Sequence, residues 1–257
     1  MKKKLLTTAL LAATLSSGSA YAGSNKLLIV GGVDMAFKDV GLSVNNDQSV
    51  AITTVKPNVT AAYGNYYANI AYDHAIAPGI GTVVESGTPY LQNYLRSDYL
   101  FTFGYRLTQS LNLFVGWING YIKVISTGDV PSGTSYVTEV KTIDYERKGP
   151  FLGAAYSIAY GNKGTLNISA AFAAMKGSIQ ETRSTISSGT TITQDGSFPT
   201  GGFSLNLAWT GPLTRSLSYR VGINQTIYRS GQFGTAPNTT TATERYSSLY
   251  FGVTNYF

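Results

Sequence analysis

The chain contains no cysteine, and in 257 residues it has one histidine (His74), two tryptophans and three methionines. Without cysteine there is no disulfide framework and no N-terminal lipid attachment. A lone histidine and no thiolate leave no basis for a tight structural metal site, so neither a metal nor a cofactor is expected. Charge is also scarce, with 12% Asp, Glu, Lys and Arg. Long apolar runs are missing too. Beyond the first 22 residues no stretch of 18 consecutive apolar residues occurs, and no membrane-spanning helix is predicted.

The first 22 residues, "MKKKLLTTALLAATLSSGSAYA", read as a secretory signal peptide. Lys2, Lys3 and Lys4 give the basic start, Leu5 to Leu15 the apolar stretch, and Ala20-Tyr21-Ala22 an A-x-A cleavage site. A single domain over 23–257 is expected to follow. Loss of three leader lysines takes the formal charge from +6 to +3, too mild to suggest nucleic-acid binding.

What is abundant is glycine (28) and tyrosine (19), arranged in alternating patterns. "LSYRVGINQTIY" places Leu217, Tyr219, Val221, Ile223 and Ile227 on one face and Ser218, Arg220, Gly222, Asn224, Thr226 and Tyr228 on the other. Similar period-2 alternation predicts ten strands, at 26–37, 52–63, 66–75, 96–107, 111–124, 145–160, 165–177, 199–210, 216–229 and 245–257. Connections alternate between short turns, near 64, 108–110, 161–164 and 211–215, and long loops, near 39–51, 76–95, 125–144, 178–198 and 230–244.

Short turns on one side, long loops on the other, and apolar-out, polar-in alternation predict an antiparallel up-and-down transmembrane β-barrel of about ten strands. A hydrocarbon environment admits only helices or closed sheets, because no backbone group can go unpaired there. The long loops are expected outside the cell and the short turns in the periplasm. Outward aromatics near those turns (Tyr63, Tyr66, Tyr105, Tyr160, Trp209, Tyr219 and Phe257) would form the inner interfacial girdle.

The chain ends in "YFGVTNYF", which resembles the C-terminal sorting signal of bacterial outer-membrane barrels. Gly252 lies five residues before the terminal aromatic Phe257, as in that pattern. The third residue from the end, usually hydrophobic, is Asn255. The resemblance implies a bacterial outer-membrane location, export through the general secretory pathway and contact with the barrel assembly machinery.

Parity then sorts the candidate functional residues. Lys123, Lys148, Lys176, Arg229 and Arg245 face outward near the upper strand ends. There they would meet the phosphates of lipopolysaccharide, or snorkel at the interface. Asp34, Asp73, Asp98, Arg106 and Arg220 face inward and either pair across a packed lumen or line a channel. Small inward residues in 145–177 (Gly153, Ala155, Ser157, Ala171, Ala173) face larger ones elsewhere (Leu28, Leu100, Phe114, Ile118, Tyr228, Tyr246, Tyr250). Packing is the favoured outcome, because barrels near eight strands are filled.

No catalytic residue is assigned. His74 faces lipid, and the H-x-S motif of outer-membrane lipid hydrolases reads His74-Ala75-Ile76 here. The remaining hydrolase arrangement would pair His74 with Ser97 across strands. A mouth protease of the omptin type would need an Asp–His couple, and His74 points away from the inward Asp73 and Asp98. The functional expectation is a monomeric barrel with a structural or surface-interaction role exerted through its loops. A narrow pore for small polar solutes is the alternative.

Overall fold

The computed structural model describes residues 11–12, 16–17, 26–43, 49–85, 87–132, 134–185, 191–231 and 243–257. From residue 26 onward, eleven strands form one antiparallel sheet. They are β1 (Leu28–Ser43), β2 (Ser49–Tyr63), β3 (Tyr66–Ala75), β4 (Gly79–Glu85), β5 (Thr88–Arg106), β6 (Leu111–Ser132), β7 (Ser135–Ala159), β8 (Thr165–Thr185), β9 (Thr191–Pro212), β10 (Leu217–Ser230) and β11 (Thr243–Tyr256). β11 pairs with β1 and β3 pairs with β5, which closes a ring. That ring is the expected transmembrane barrel: no helix is present among the described residues, and every membrane-level strand has two neighbours.

Ten staves make the ring because β3 and β4 share one. β3 pairs with β5 from Tyr66–Tyr105 to His74–Ser97, and β4 resumes on the same neighbour from Gly79–Tyr94 to Glu85–Thr88. The step from His74 to Gly79 covers five positions while β5 advances three, so two extra residues bulge out around Pro78. Proline has no N–H to give a ladder, and a break of this kind is where a sheet tolerates it.

The register fixes the barrel's dimensions. From Leu28, successive partners are Ala62, Tyr67, Gly104, Phe114, Gly153, Ala171, Ser204, Thr226, Tyr246 and finally Val40, twelve residues beyond the start on the same strand. Ten strands with a shear of twelve tilt by about 40° and enclose a backbone cylinder of about 10 Å radius. Each residue therefore climbs about 2.5 Å along the barrel axis.

The outer surface is apolar from the lower turns upward. Ile70, Phe101, Leu152, Phe172 and Ile223 are each about half exposed there, which water would penalise and hydrocarbon does not. The girdle residues touch one another: the Tyr66 ring packs tilted against Tyr105 (5.0 Å) and Tyr160 against Trp209 (5.6 Å), and the Trp209 indole N–H donates to Tyr219 Oη (3.1 Å). On eight staves the first outward polar residue, such as Asp39, His74, Lys148 or Gln225, lies eight to eleven positions above the lower strand end. That climb is about 20–27 Å, the height of an outer-membrane apolar band.

Three of the five expected long loops are β-structure instead. Segment 76–95 is β4 and the start of β5, 125–144 is the β6–β7 hairpin, and 178–198 is largely the β8–β9 hairpin. Above the lipid neither face meets a uniformly apolar partner, so alternation fades while backbone pairing continues. Tyr121–Glu146 and Pro131–Tyr136 belong to one unbroken ladder. The 25-residue β7 climbs about 60 Å, whereas the 14-residue β10 climbs about 35 Å. Among the described residues, a wall of β4–β9 consequently rises above the other strands. Residues 232–242, within the expected 230–244 loop, lie outside the described residues.

Large inward side chains lie flat over inward glycines on the next strand. A Cβ on Gly104 would come within 2.0 Å of the Tyr67 ring, on Gly153 within 2.3 Å of Phe114, on Gly202 within 2.2 Å of Tyr228, and on Gly222 within 2.5 Å of Tyr250. In a 10 Å cylinder a ring of this size finds room where the facing position on the next stave is bare backbone. This explains why the sequence is rich in both residues.

Candidate functional site

The lumen is filled in layers. In the lower and middle barrel Tyr67, Phe114, Ile118, Phe151 and Tyr228 pack on the small wall of Ala155 and Ala171. Leu28, Leu100, Ala173 and Tyr246 join them, as the size asymmetry of the sequence predicts. Near the upper membrane boundary a second apolar cluster gathers Val40, Val50, Ile52, Tyr94, Ile122, Val124, Tyr145 and Phe198.

Between these layers lies a buried ionic quartet. Arg96 on β5 donates through Nε to Asp98 (2.8 Å) and through Nη1 to Glu244 on β11. Arg147 on β7 donates to Glu244 Oε2 (2.5 Å) and to Asp98 Oδ1 (3.0 Å). None of the four side chains is more than 5% exposed. Arg96 stacks over the Tyr246 ring at 4.2 Å, and Arg147 over Tyr228 at 4.4 Å. Alternating guanidinium and carboxylate groups satisfy each other where either alone would be costly to bury. Gly120 makes the room, because a Cβ there would strike Asp98 Oδ1 at 2.5 Å.

Lower down, Arg220 on β10 pairs with both oxygens of Asp34 on β1. Lys38 donates to Asp73 at 2.5 Å, and Lys56 approaches Asp34 at 3.9 Å. Asp34, Lys38, Lys56 and Asp73 border a chamber of about 110 Å³ on the barrel axis, to which all ten staves contribute. Ala36, Ser204, Asn206, Asn224 and Ser248 form much of its wall.

All five inward charges expected from parity are buried: Asp34, Asp73, Asp98, Arg106 and Arg220. Asp98 needs no distant partner alone, since Arg96 on its own strand supplies one. Arg106 sits at the lower rim, and among the described residues no ion pair holds it. Parity reasoning missed Lys38, Lys56, Arg96, Arg147 and Glu244, which complete the network.

On the outer face Lys148, Lys176, Arg229 and Arg245 are exposed and Lys123 is partly so. Lys148 stands directly opposite Lys176 across the β7–β8 ladder, and Glu146 lies 3.5 Å from the Lys148 ammonium. Lys123 faces Asp144 across β6–β7. His74 is exposed and directly opposite Ser97, as the register argument requires. Its Nδ1 is hydrogen-bonded to Tyr72 Oη at 3.0 Å, and Tyr72 stacks on Tyr99 at 4.5 Å. Asp73 and Asp98 face each other inside the barrel, each held by cations.

Above the membrane the wall carries its own ion pairs. Lys141 reaches Glu85 (3.0 Å) and Glu181 (3.7 Å), Arg183 reaches Glu181 (2.6 Å), and Tyr90 Oη donates to Glu139 (3.3 Å). Burial, reinforced by the Glu139 carboxylate, pushes the Tyr90 phenol above its ordinary value.

No protein-family model matches the chain, and no curated protein sequence matches it. Among solved structures, the outer membrane protease OmpT from Escherichia coli superposes with a TM-score of 0.63 at 8% identity, covering 90% of this chain and 97% of that one. The toluene transporter TodX of Pseudomonas putida gives 0.40 at 8% identity, covering 91% of each chain. The translocator domain of the autotransporter NalP from Neisseria meningitidis gives 0.41 at 10% identity, covering 91% and 90%. At 8% identity the OmpT likeness is one of fold, and the fold it supports is an all-antiparallel β-barrel of the outer-membrane kind.

Proposed function

We propose that this chain is a non-conducting barrel of the bacterial outer membrane that is anchored in lipopolysaccharide and presents its β4–β9 wall to a partner outside the cell. The observation that carries the closed lumen is the stack of filled layers. A balanced ionic quartet lies across the axis, and eight buried apolar side chains cap it. An ion crossing this stack would have to break charge-assisted bonds within a dry core.

Residues 1–22 serve in this reading as the export signal. Gly252 and Phe257 present the terminal strand to the assembly machinery. The apolar band with Lys123, Lys148, Lys176, Arg229 and Arg245 above it supports the outer-leaflet anchor. Lysines directly opposed across a ladder repel, and a bridging phosphate removes that cost.

Planar-bilayer recording of the refolded protein tests closure. The expected record is flat, and reproducible single-channel steps would overturn it. The 110 Å³ chamber favours the second reading, a narrow pore for small polar solutes, and the same record decides it. The anchor is tested by Lys148→Glu/Lys176→Glu. This variant should lose the gain in thermal stability that lipopolysaccharide gives the wild type, while its stability in zwitterionic detergent stays unchanged. An equal gain in both proteins refutes the anchor.

A further inference from the structure

The inward-facing ions of the lumen fall into two groups with different net charge. The quartet sets Arg96 and Arg147 against Asp98 and Glu244 and is neutral. The group beside the chamber sets Lys38, Lys56 and Arg220 against Asp34 and Asp73, leaving one positive charge over. The surplus falls on Lys56. Asp34 already holds Arg220 with both oxygens, and Asp73 Oδ2 holds Lys38 at 2.5 Å. Lys56 is left 3.9 Å from Asp34 Oδ2, and its side chain lines the chamber.

A second feature of the same wall points the same way. Asn206 accepts the Tyr250 hydroxyl at 2.9 Å through Oδ1, while its Nδ2, fully buried, has no partner. A surplus ammonium and an idle amide donor share one cavity. Burying either without a counterpart is unfavourable. Asp73 Oδ1 is also unpartnered, and its charge disfavours a dianion. A volume of about 110 Å³ admits a halide or a small carboxylate with a few waters at about 30 Å³ each.

We infer that the chamber binds one small monovalent anion, of halide or formate size, through the Lys56 ammonium and the Asn206 amide. The guest neutralises the surplus charge and gives the amide its acceptor. Bromide is the probe. In crystals of the refolded protein grown from detergent and soaked in sodium bromide, an anomalous peak is expected beside Lys56 Nζ and Asn206 Nδ2. It should be absent from Lys56→Met.

In detergent at fixed ionic strength, the wild-type unfolding midpoint should stand a few degrees higher in bromide than in gluconate, which is too large for the chamber. Asn206→Ala should lose about half of that difference, and it serves as the test if Lys56→Met does not refold. No peak in the wild type, a peak that persists in Lys56→Met, or equal midpoints in the two salts overturns the inference. Channel steps in a bilayer would overturn the closed lumen, whereas the site stands or falls on the bromide peak beside Lys56 and Asn206.

Discussion

Glu244 is the keystone of the quartet, and its truncation gives the sharpest test of how the lumen is held. Both carboxylate oxygens are used, one by Arg96 and one by Arg147, and the side chain is 1% exposed. Glu244→Ala leaves Arg96 and Arg147 sharing Asp98 alone, with one positive charge uncompensated in a buried layer. Losing one partner of a buried ionic group costs about 3–5 kcal/mol. Two hydrogen bonds to charged groups, at about 1.5–3 kcal/mol each, give about 3–6 kcal/mol, an overlapping range.

With a urea dependence of about 2 kcal/mol per molar, the unfolding midpoint should fall by about 2 M. Tryptophan fluorescence and gel mobility of the refolded barrel in vesicles report the midpoint. Arg147→Met in the same chain restores charge balance around Arg96 and Asp98. The double variant should therefore be more stable than the sum of the single losses by about 2 kcal/mol. A Glu244→Ala midpoint within about 0.5 M of wild type would show that water reaches the quartet, and the closed-lumen reading would fail.

Two further predictions concern glycine packing and the extracellular wall. Gly222→Ala drives a methyl to within 2.5 Å of Tyr250 and 2.7 Å of the Leu207 carbonyl, and should cost about 1–3 kcal/mol in the same urea assay, partly recovered by Tyr250→Ala. Because Tyr90 ionises above its unfolded value, its contribution is complete below about pH 10 and is lost as pH rises through the folded value. Tyr90→Phe should therefore show a shallower loss of stability as pH rises above about 10, and an unchanged slope would refute the assignment.

The fold was legible because lipid enforces alternation. Wherever a strand runs from the girdle to the belt, one face is uniformly apolar, and strand positions such as 216–229 and 245–257 follow from it. Legibility ended where the lipid ended. Residues 125–144 form a hairpin, but water bathes its outer face and ion pairs fill its inner one, so no period-2 hydrophobic signal survives. The ionic network was half legible for a related reason. Arg96 and Arg147 lie within predicted strands on inward parity and were open to the same reasoning that found Asp98 and Arg220. Lys38 and Glu244 fell one residue beyond the predicted strand ends, where parity was not applied. Pairing itself was beyond reach. Arg147 and Glu244 are 97 residues apart, and they meet only because a shear of twelve brings β7 and β11 to face each other across a narrow lumen.

The terminal strand shows how one residue can answer to two demands. Gly252 matches the glycine of a barrel sorting signal, which a recognition argument treats as a feature read by another protein. In the barrel that glycine faces inward opposite Asp34. A Cβ at Gly252 would lie 1.9 Å from Asp34 Oδ1, the oxygen that with its neighbour holds Arg220. Bare backbone is therefore required wherever a charged group must lie flat against the closing seam between β11 and β1. A packing constraint on the last strand of a narrow barrel is enough to keep glycine at this position. Phe257 is 77% exposed, and its ring lies beside Gly31 at the membrane's lower edge. Of these two residues, Gly252 is thus the one that the packing of the folded barrel requires.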